Sequence, residues 1–370
     1  MNHKLFGTAF ALGIAGIGSA QGFIQIANYN LGTVGTNQQV NDIAFDGTDL
    51  YVGMATAGTP GAITVKRVAD AINPASQTAS DILTKTGVQT QRGTRLAVSG
   101  SSLYFGYGLG APSGSAGMGI EKYSISGGVL TQDTTFGGTG IVNTGAQVDV
   151  AGGPAAPTRI DAFDVDSDGN LGIVAFGSGG IFKINSAGVA QSTITISPGL
   201  ASTAWRDVAF GMNGDVFGRV PNVSTTGTLA NVSKFGRTSG TTISGSATLM
   251  GSNVSGFSAS WNNVVTTLNN VGPAGNWSFY AANGVNTNQV TIGLQDGSWT
   301  GTINGTEGGL GSAFTSNNFA LGTGQAGGRN FLFVGTTAGN VRVYEMVPEP
   351  ASMAALGLGV LGLLKRRKKA

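Results

Sequence analysis

A short apolar strand led by polar residues, a tight turn and a second apolar strand recur six times along this 370-residue chain. Such self-similarity constrains a fold more than any single motif, because each unit must bury its apolar faces against its neighbours. The leading strands are Asn41–Phe45, Thr94–Val98, Arg159–Phe163 and Arg206–Phe210, with weaker copies at Asn262–Val265 and Asn317–Leu321. Asp46-Gly47, Ser99-Gly100, Asp168-Gly169 and Asn213-Gly214 follow the first four, and Gly275 and Gly328 stand at the same place in the last two. Asp-Gly and Asn-Gly between apolar runs signal hairpins, since the turn needs a positive φ. A third strand follows each pair, at Ile63–Val68, Ile120–Ile125, Gly180–Asn185, Val232–Gly236, Gln289–Leu294 and Val341–Met346. Four of these carry a lysine at an equivalent place: Lys66, Lys122, Lys183 and Lys234.

Three or four antiparallel strands repeated in this way predict an all-β fold, and within it a β-propeller, six blades being preferred to seven. Fourth strands fit near Ile82-Leu83, Val129-Leu130 and Thr193–Ile196. The last repeat ends at Met346 without an outer strand, and Phe23–Ala27 is placed to supply it and lock the ring. The repeat domain is thereby residues 21–346. A pair of β-sandwiches and a β-solenoid are the structural rivals. Solenoid coils are usually shorter, and sandwiches need no repeating three-strand unit.

Both ends read as targeting segments. Lys4 opens a charged region, Leu5 to Gly18 is apolar, and Gly18-Ser19-Ala20 offers small residues before Gln21. Residues 1–20 are thus a secretory signal peptide, passed through the Sec machinery. At the other end Pro348-Glu349-Pro350 is followed by uncharged Ala351 to Leu364 and then Lys365, Arg366, Arg367, Lys368 and Lys369. The combination over 347–370 resembles the PEP-CTERM sorting signal of bacterial exported proteins, which an exosortase cleaves near Pro-Glu-Pro. The 14 uncharged residues, as a helix, span about 21 Å. A hydrocarbon core is about 30 Å thick, so this apolar helix is a short transmembrane anchor suited to temporary retention. The basic cluster stays cytoplasmic and leaves the body outside. The resemblance implies an inner-membrane intermediate, then release to the cell surface or extracellular matrix, and an association with exopolysaccharide or biofilm.

Composition removes whole classes of function. Six of the 20 basic residues lie in the two targeting segments, and Glu349 is the one acid there out of 18, which leaves a body of net charge −3. A nucleic-acid partner calls for a basic body, so none is expected. Cysteine is absent, and the one histidine, His3, falls inside the signal peptide. A mature chain therefore has neither a Ser-His-Asp nor a Cys-His apparatus, nor the usual zinc ligands. Paired carboxylates and oxygen-ligand metal sites survive.

The polar residues that lead the first strands gather, in a propeller, near one mouth of the axis. The candidates for a polar ligand such as a saccharide are Asn41, Asp42, Arg95, Arg159, Arg206, Asp207 and Asn263. The alternative is that they cap strand ends and pair with one another. Asp164, Asp166 and Asp168 sit in Asp-x-Asp-x-Asp-Gly, the first half of a calcium loop; Ala175 stands where the loop needs a glutamate. The same residues also make a hairpin turn. No other cofactor is implied. The expected function is a non-catalytic binding or scaffold body at the cell surface. The alternative is a secreted glycosidase or polysaccharide lyase using a pair such as Asp42 and Asp207.

Overall fold

The computed structural model describes residues 21–31, 39–55, 61–73, 78–88, 94–108, 118–143, 160–175, 180–191, 194–196, 207–219, 232–235, 237–239, 242–243, 248–250, 265–271, 277–283, 289–297, 300–304, 320–336 and 339–348. Their strands form six separate sheets. Sheet I runs Gln39–Phe45, Leu50–Ala55, Gly61–Val68, Ala79–Val88 from inner to outer edge. Sheet II runs Arg95–Ser99, Ser102–Gly108, Met118–Ser126, Val142–Asn143, with Val129–Gln132 also on the third strand. Sheet III begins Ile160–Val165, Leu171–Ala175, Gly180–Ile184, Ile194–Ile196. Sheet IV is Asp207–Phe210, Val216–Arg219, Val232–Phe235, Thr248–Met250, and sheet V is Val265–Val271, Trp277–Asn283, Gln289–Leu294, Thr300–Asn304. Sheet VI is Ala320–Ala326, Arg329–Gly335, Asn340–Pro348 and, outermost, Gln21–Asn30.

The inner strand of each sheet touches that of the next in chain order, and the inner strand of sheet VI touches that of sheet I. The contacts close a circle, a β-propeller arrangement. Its core is a set of layers between sheets. Leu50, Val52 and Met54 pack with Phe331 and Phe333 of sheet VI. The alternate residues Tyr51 and Ala55 pack with Leu103 and Phe105 of sheet II. Successive side chains of a strand point to opposite faces, and here both faces are covered, which explains an unbroken apolar run. Tyr104, Phe136, Phe163 and Phe182 fill the layer between sheets II and III, and Phe217 stacks on Tyr280 between IV and V.

Glycine serves this packing. A Cβ on Gly172 of sheet III would run into the Phe210 ring of sheet IV, and one on Gly324 of sheet VI would run into Phe45 of sheet I. The turn glycines Gly47, Gly100, Gly169 and Gly214 all have positive φ, as the hairpin pattern requires.

The N-terminal strand closes the last sheet as expected, antiparallel from Gln21↔Pro348 to Asn30↔Asn340. The described inner strands of sheets V and VI start at Val265 and Ala320, inside the expected copies Asn262–Val265 and Asn317–Leu321, and run on beyond them. Their polar content, Val265-Thr266-Thr267-Leu268-Asn269 and Ala320-Leu321-Gly322-Thr323, hides inner strands that exchange hydrogen bonds through hydroxyls. In addition, the chain leaves sheet IV to add Thr242–Ile243 and Arg237–Ser239 to the edge of sheet III, then returns with Thr248–Met250. The signal peptide over 1–20 and the apolar and basic parts of the tail over 349–370 lie outside the described residues. Among the described residues no helix is long and apolar enough to cross a membrane.

Candidate functional site at the axis

The inner strands bring Asp42, Arg95, Asp164 and Asp207 together from four sheets. The charges of the three carboxylates act on one another, and Arg95 acts on Asp42 and Asp207. Each carboxylate makes the same pair of bonds. Asp42 Oδ1 accepts the N–H of Ile43 at 3.0 Å, and its Oδ2 accepts Leu96 N–H of sheet II at 2.7 Å. Asp164 accepts Val165 N–H at 2.7 Å and, more weakly, Phe210 N–H of sheet IV at 3.3 Å. Asp207 accepts Val208 N–H at 3.0 Å and Val265 N–H of sheet V at 2.8 Å. One oxygen therefore holds the strand's own backbone and the other clasps the next sheet.

Burial sets the electrostatics. It raises the Asp42 carboxyl to about 6, against the opposing pull of Arg95 and the two N–H donors. It raises Asp164 to about 7 and Asp207 to about 7, with the neighbouring carboxylates pushing the same way. Around the axis sheet V continues the scheme with neutral groups. Thr267 Oγ1 donates to Phe210 O at 2.6 Å, and Thr323 Oγ1 donates to Thr267 O at 2.6 Å. Gln295 accepts Met212 N–H at 3.0 Å and donates to Asn269 Oδ1 and Phe279 O. These threonines and Gln295 carry no sequence mark beyond lying in or beside a repeat.

The lysines that recur in the third strands are ion-pair partners. Lys66 pairs with Asp81, Lys183 with Asp166 and Lys234 with Asp215, while Lys122 stands 3.5 Å from Asp133. Lys122 also donates to Ser186 O of sheet III, and Lys234 to Gln295 O beyond the third strand of sheet V. Sheet II has a second buried hub. Glu121 accepts Tyr107 and Tyr123 hydroxyls at 2.8 and 2.5 Å and Lys85 of sheet I at 2.9 Å.

Of the other sequence candidates, Asn41 is partly buried in the inner strand of sheet I. Arg159, Arg206 and Asn263 lie outside the described residues. Asp164, Asp166 and Asp168 do not converge. Asp164 is a clasp; Asp166 faces Lys183 and caps the turn by accepting Asp168 and Asn170 N–H; Asp168 is exposed. The calcium half-motif is thus folded as a hairpin turn, Asp166 N–H donating to Asn170 O and Gly169 N–H to Asp166 O. Among the described residues no group of three or more acidic or histidine side chains is placed to hold a metal ion.

Comparison with known proteins adds two findings. The PEP-CTERM protein-sorting motif matches residues 347–369. This motif implies export and membrane-associated processing by an exosortase. No curated protein matches the chain. Among solved structures, the chain is similar to an inactive virginiamycin B lyase from Staphylococcus aureus with quinupristin. That match has 10% identity and a TM-score of 0.52, and covers 89% of this chain and 100% of that one. It is also similar to an alpha-L-arabinanase from Penicillium chrysogenum, with 12% identity, TM-score 0.53 and coverage of 89% and 98%. A gluconolactonase from Xanthomonas campestris matches with 10% identity, TM-score 0.50 and coverage of 84% and 87%. At these identities the likeness shows the fold alone.

Proposed function

We propose that the chain is an exported surface or matrix protein whose six sheets are the six blades of a non-catalytic binding scaffold. Sec exports it, the short apolar tail retains it at the inner membrane with the body outside, and an exosortase releases it. Its working partners are exopolysaccharide or other surface proteins. The observation that carries this reading is the sorting motif joined directly to the last strand of the fold. The axial carboxylates support the non-catalytic half. Raised carboxyls are what a glycosidase acid needs. Here each oxygen of Asp42 and Asp207 accepts a backbone N–H, so both side chains already serve to tie neighbouring strands together.

Mass spectrometry of the mature protein from an exosortase-bearing host tests the sorting half. The C-terminus should fall near Pro348-Glu349-Pro350, and an intact Lys365–Ala370 on a surface-located protein would refute it. Co-sedimentation of the body with the host's purified exopolysaccharide tests the binding half. Release of reducing or unsaturated sugar by the same sample would favour the hydrolase or lyase instead.

A further inference from the structure

The N-terminal strand and the sorting motif share one edge. Antiparallel pairing places Gln21 opposite Pro348 and Gly22 opposite Val347. On its other side the last strand is paired only as far as Met346, opposite Asn330. Among the described residues, Gln21 and Gly22 are therefore the sole strand partners of the motif's first two residues.

The strand is anchored unequally. Its register shifts between Gln25 and Ala27, a bulge at Ile26. Beyond the bulge Ala27, Tyr29 and Leu31 are buried. Tyr29 Oη donates to Ala71 O of sheet I at 2.6 Å, and Leu31 N–H donates to Gly339 O at 3.0 Å. Before the bulge Ile24 is 55% exposed and Gln25 is exposed, and Phe23 alone packs against an apolar cluster. Phe23 lines a shallow apolar depression with Leu268, Phe279, Phe331 and Met346. Residues 23–25, next to the pair that covers the motif, are thus less buried than Ala27, Tyr29 and Leu31.

We propose that Gln21–Gln25 is a latch on the sorting motif, hinged at the Ile26 bulge, and that processing requires the latch to open. A processing enzyme must take the residues before its cut as an extended peptide. Val347 and Pro348 lie in the sheet opposite the latch strand, and Pro348 has no N–H to offer. Opening at the bulge frees both while Ala27–Leu31 keeps the ring closed. Local openings of this kind cost less than global unfolding. The inference rests on the exosortase reading above.

The test follows processing of the full chain in an exosortase-bearing host by pulse-chase, with the C-terminus identified by mass spectrometry. Phe23→Ala and Ile24→Pro loosen the latch without touching the motif. Each should raise the processing rate about tenfold, the change that corresponds to about 1.4 kcal/mol of latch pairing. Gly22→Cys with Val347→Cys locks it, in a chain with no other cysteine. That variant should be processed only after reductant is added. Hydrogen exchange on the purified chain supplies a second readout: Phe23–Gln25 should exchange faster than Ala27–Leu31. Equal processing rates in all variants, or equal protection on both sides of the bulge, would overturn the latch and leave the sorting reading intact. Failure of every chain, loosened ones included, to be processed would overturn both.

Discussion

Asp207 Oδ2 accepts the backbone N–H of Val265 at 2.8 Å, so a side chain of one inner strand closes onto the first described residue of the next sheet's inner strand. Its other oxygen holds Val208 N–H. Asp207→Ala strands both donors in a buried place. It should cost ~2–4 kcal/mol, read as a lower denaturant midpoint. Asp207→Asn keeps one acceptor and should cost less than Asp207→Ala.

The three clasps also fix a pH dependence. The unfolded carboxyl titrates near ~3.9. In the folded chain Asp42 titrates at about 6, and Asp164 and Asp207 at about 7. The folded state therefore holds these protons more tightly. Their stabilisation is complete below pH ~4 and is lost as pH rises through 6 to 7. Asp133, held down by Thr135, and Glu345, held down by Arg329, work the other way: their contribution is lost as pH falls below ~4. The melting temperature should accordingly be higher near pH 5 than at pH 8. Asp42→Asn combined with Asp207→Asn should flatten that slope.

Lys183 and Asp166 are both almost fully buried, in one ion pair. Lys183→Met leaves the Asp166 charge uncompensated and should cost ~3–5 kcal/mol in chemical unfolding. Because Lys183 occupies Asp166, millimolar calcium should leave the melting temperature of the native chain unchanged.

Gly172 faces the Phe210 ring and Gly324 the Phe45 ring across sheet boundaries. Gly172→Ala and Gly324→Ala overfill these layers and should each cost ~1–3 kcal/mol. Gly87→Ala is a useful contrast: a Cβ there meets nothing, so its cost reflects the positive φ of 71° alone.

Much of the fold was legible in the chain, because strand, turn and strand are local. Asp46-Gly47 and Asn213-Gly214 mark turns whose backbone demands them, and the alternation around Leu50–Ala55 marks a strand buried on both faces. The pairing of Phe23 with Met346 was also readable, since the last repeat lacked an outer strand and the N-terminus had one to offer. The inner strands from Val265 and Ala320 run past the ends of the copies legible at Asn262–Val265 and Asn317–Leu321. Their threonines look like loop residues until the hydroxyls find partners on the neighbouring sheet.

The axial residues show the same division. Sequence alone determined that Asp42, Arg95 and Asp207 stand at the heads of repeats, that no histidine or cysteine serves the body, and that a sorting motif ends the chain. Tertiary structure alone decided what the carboxylates do. Whether an aspartate is free for a ligand depends on which N–H groups point at its oxygens. Leu96, Phe210 and Val265 come from other sheets, 46 to 58 residues away along the chain. The same holds at the edge of sheet VI, where Gln21 meets Pro348: the ends of the repeat domain are remote in sequence and become neighbours only when the ring closes.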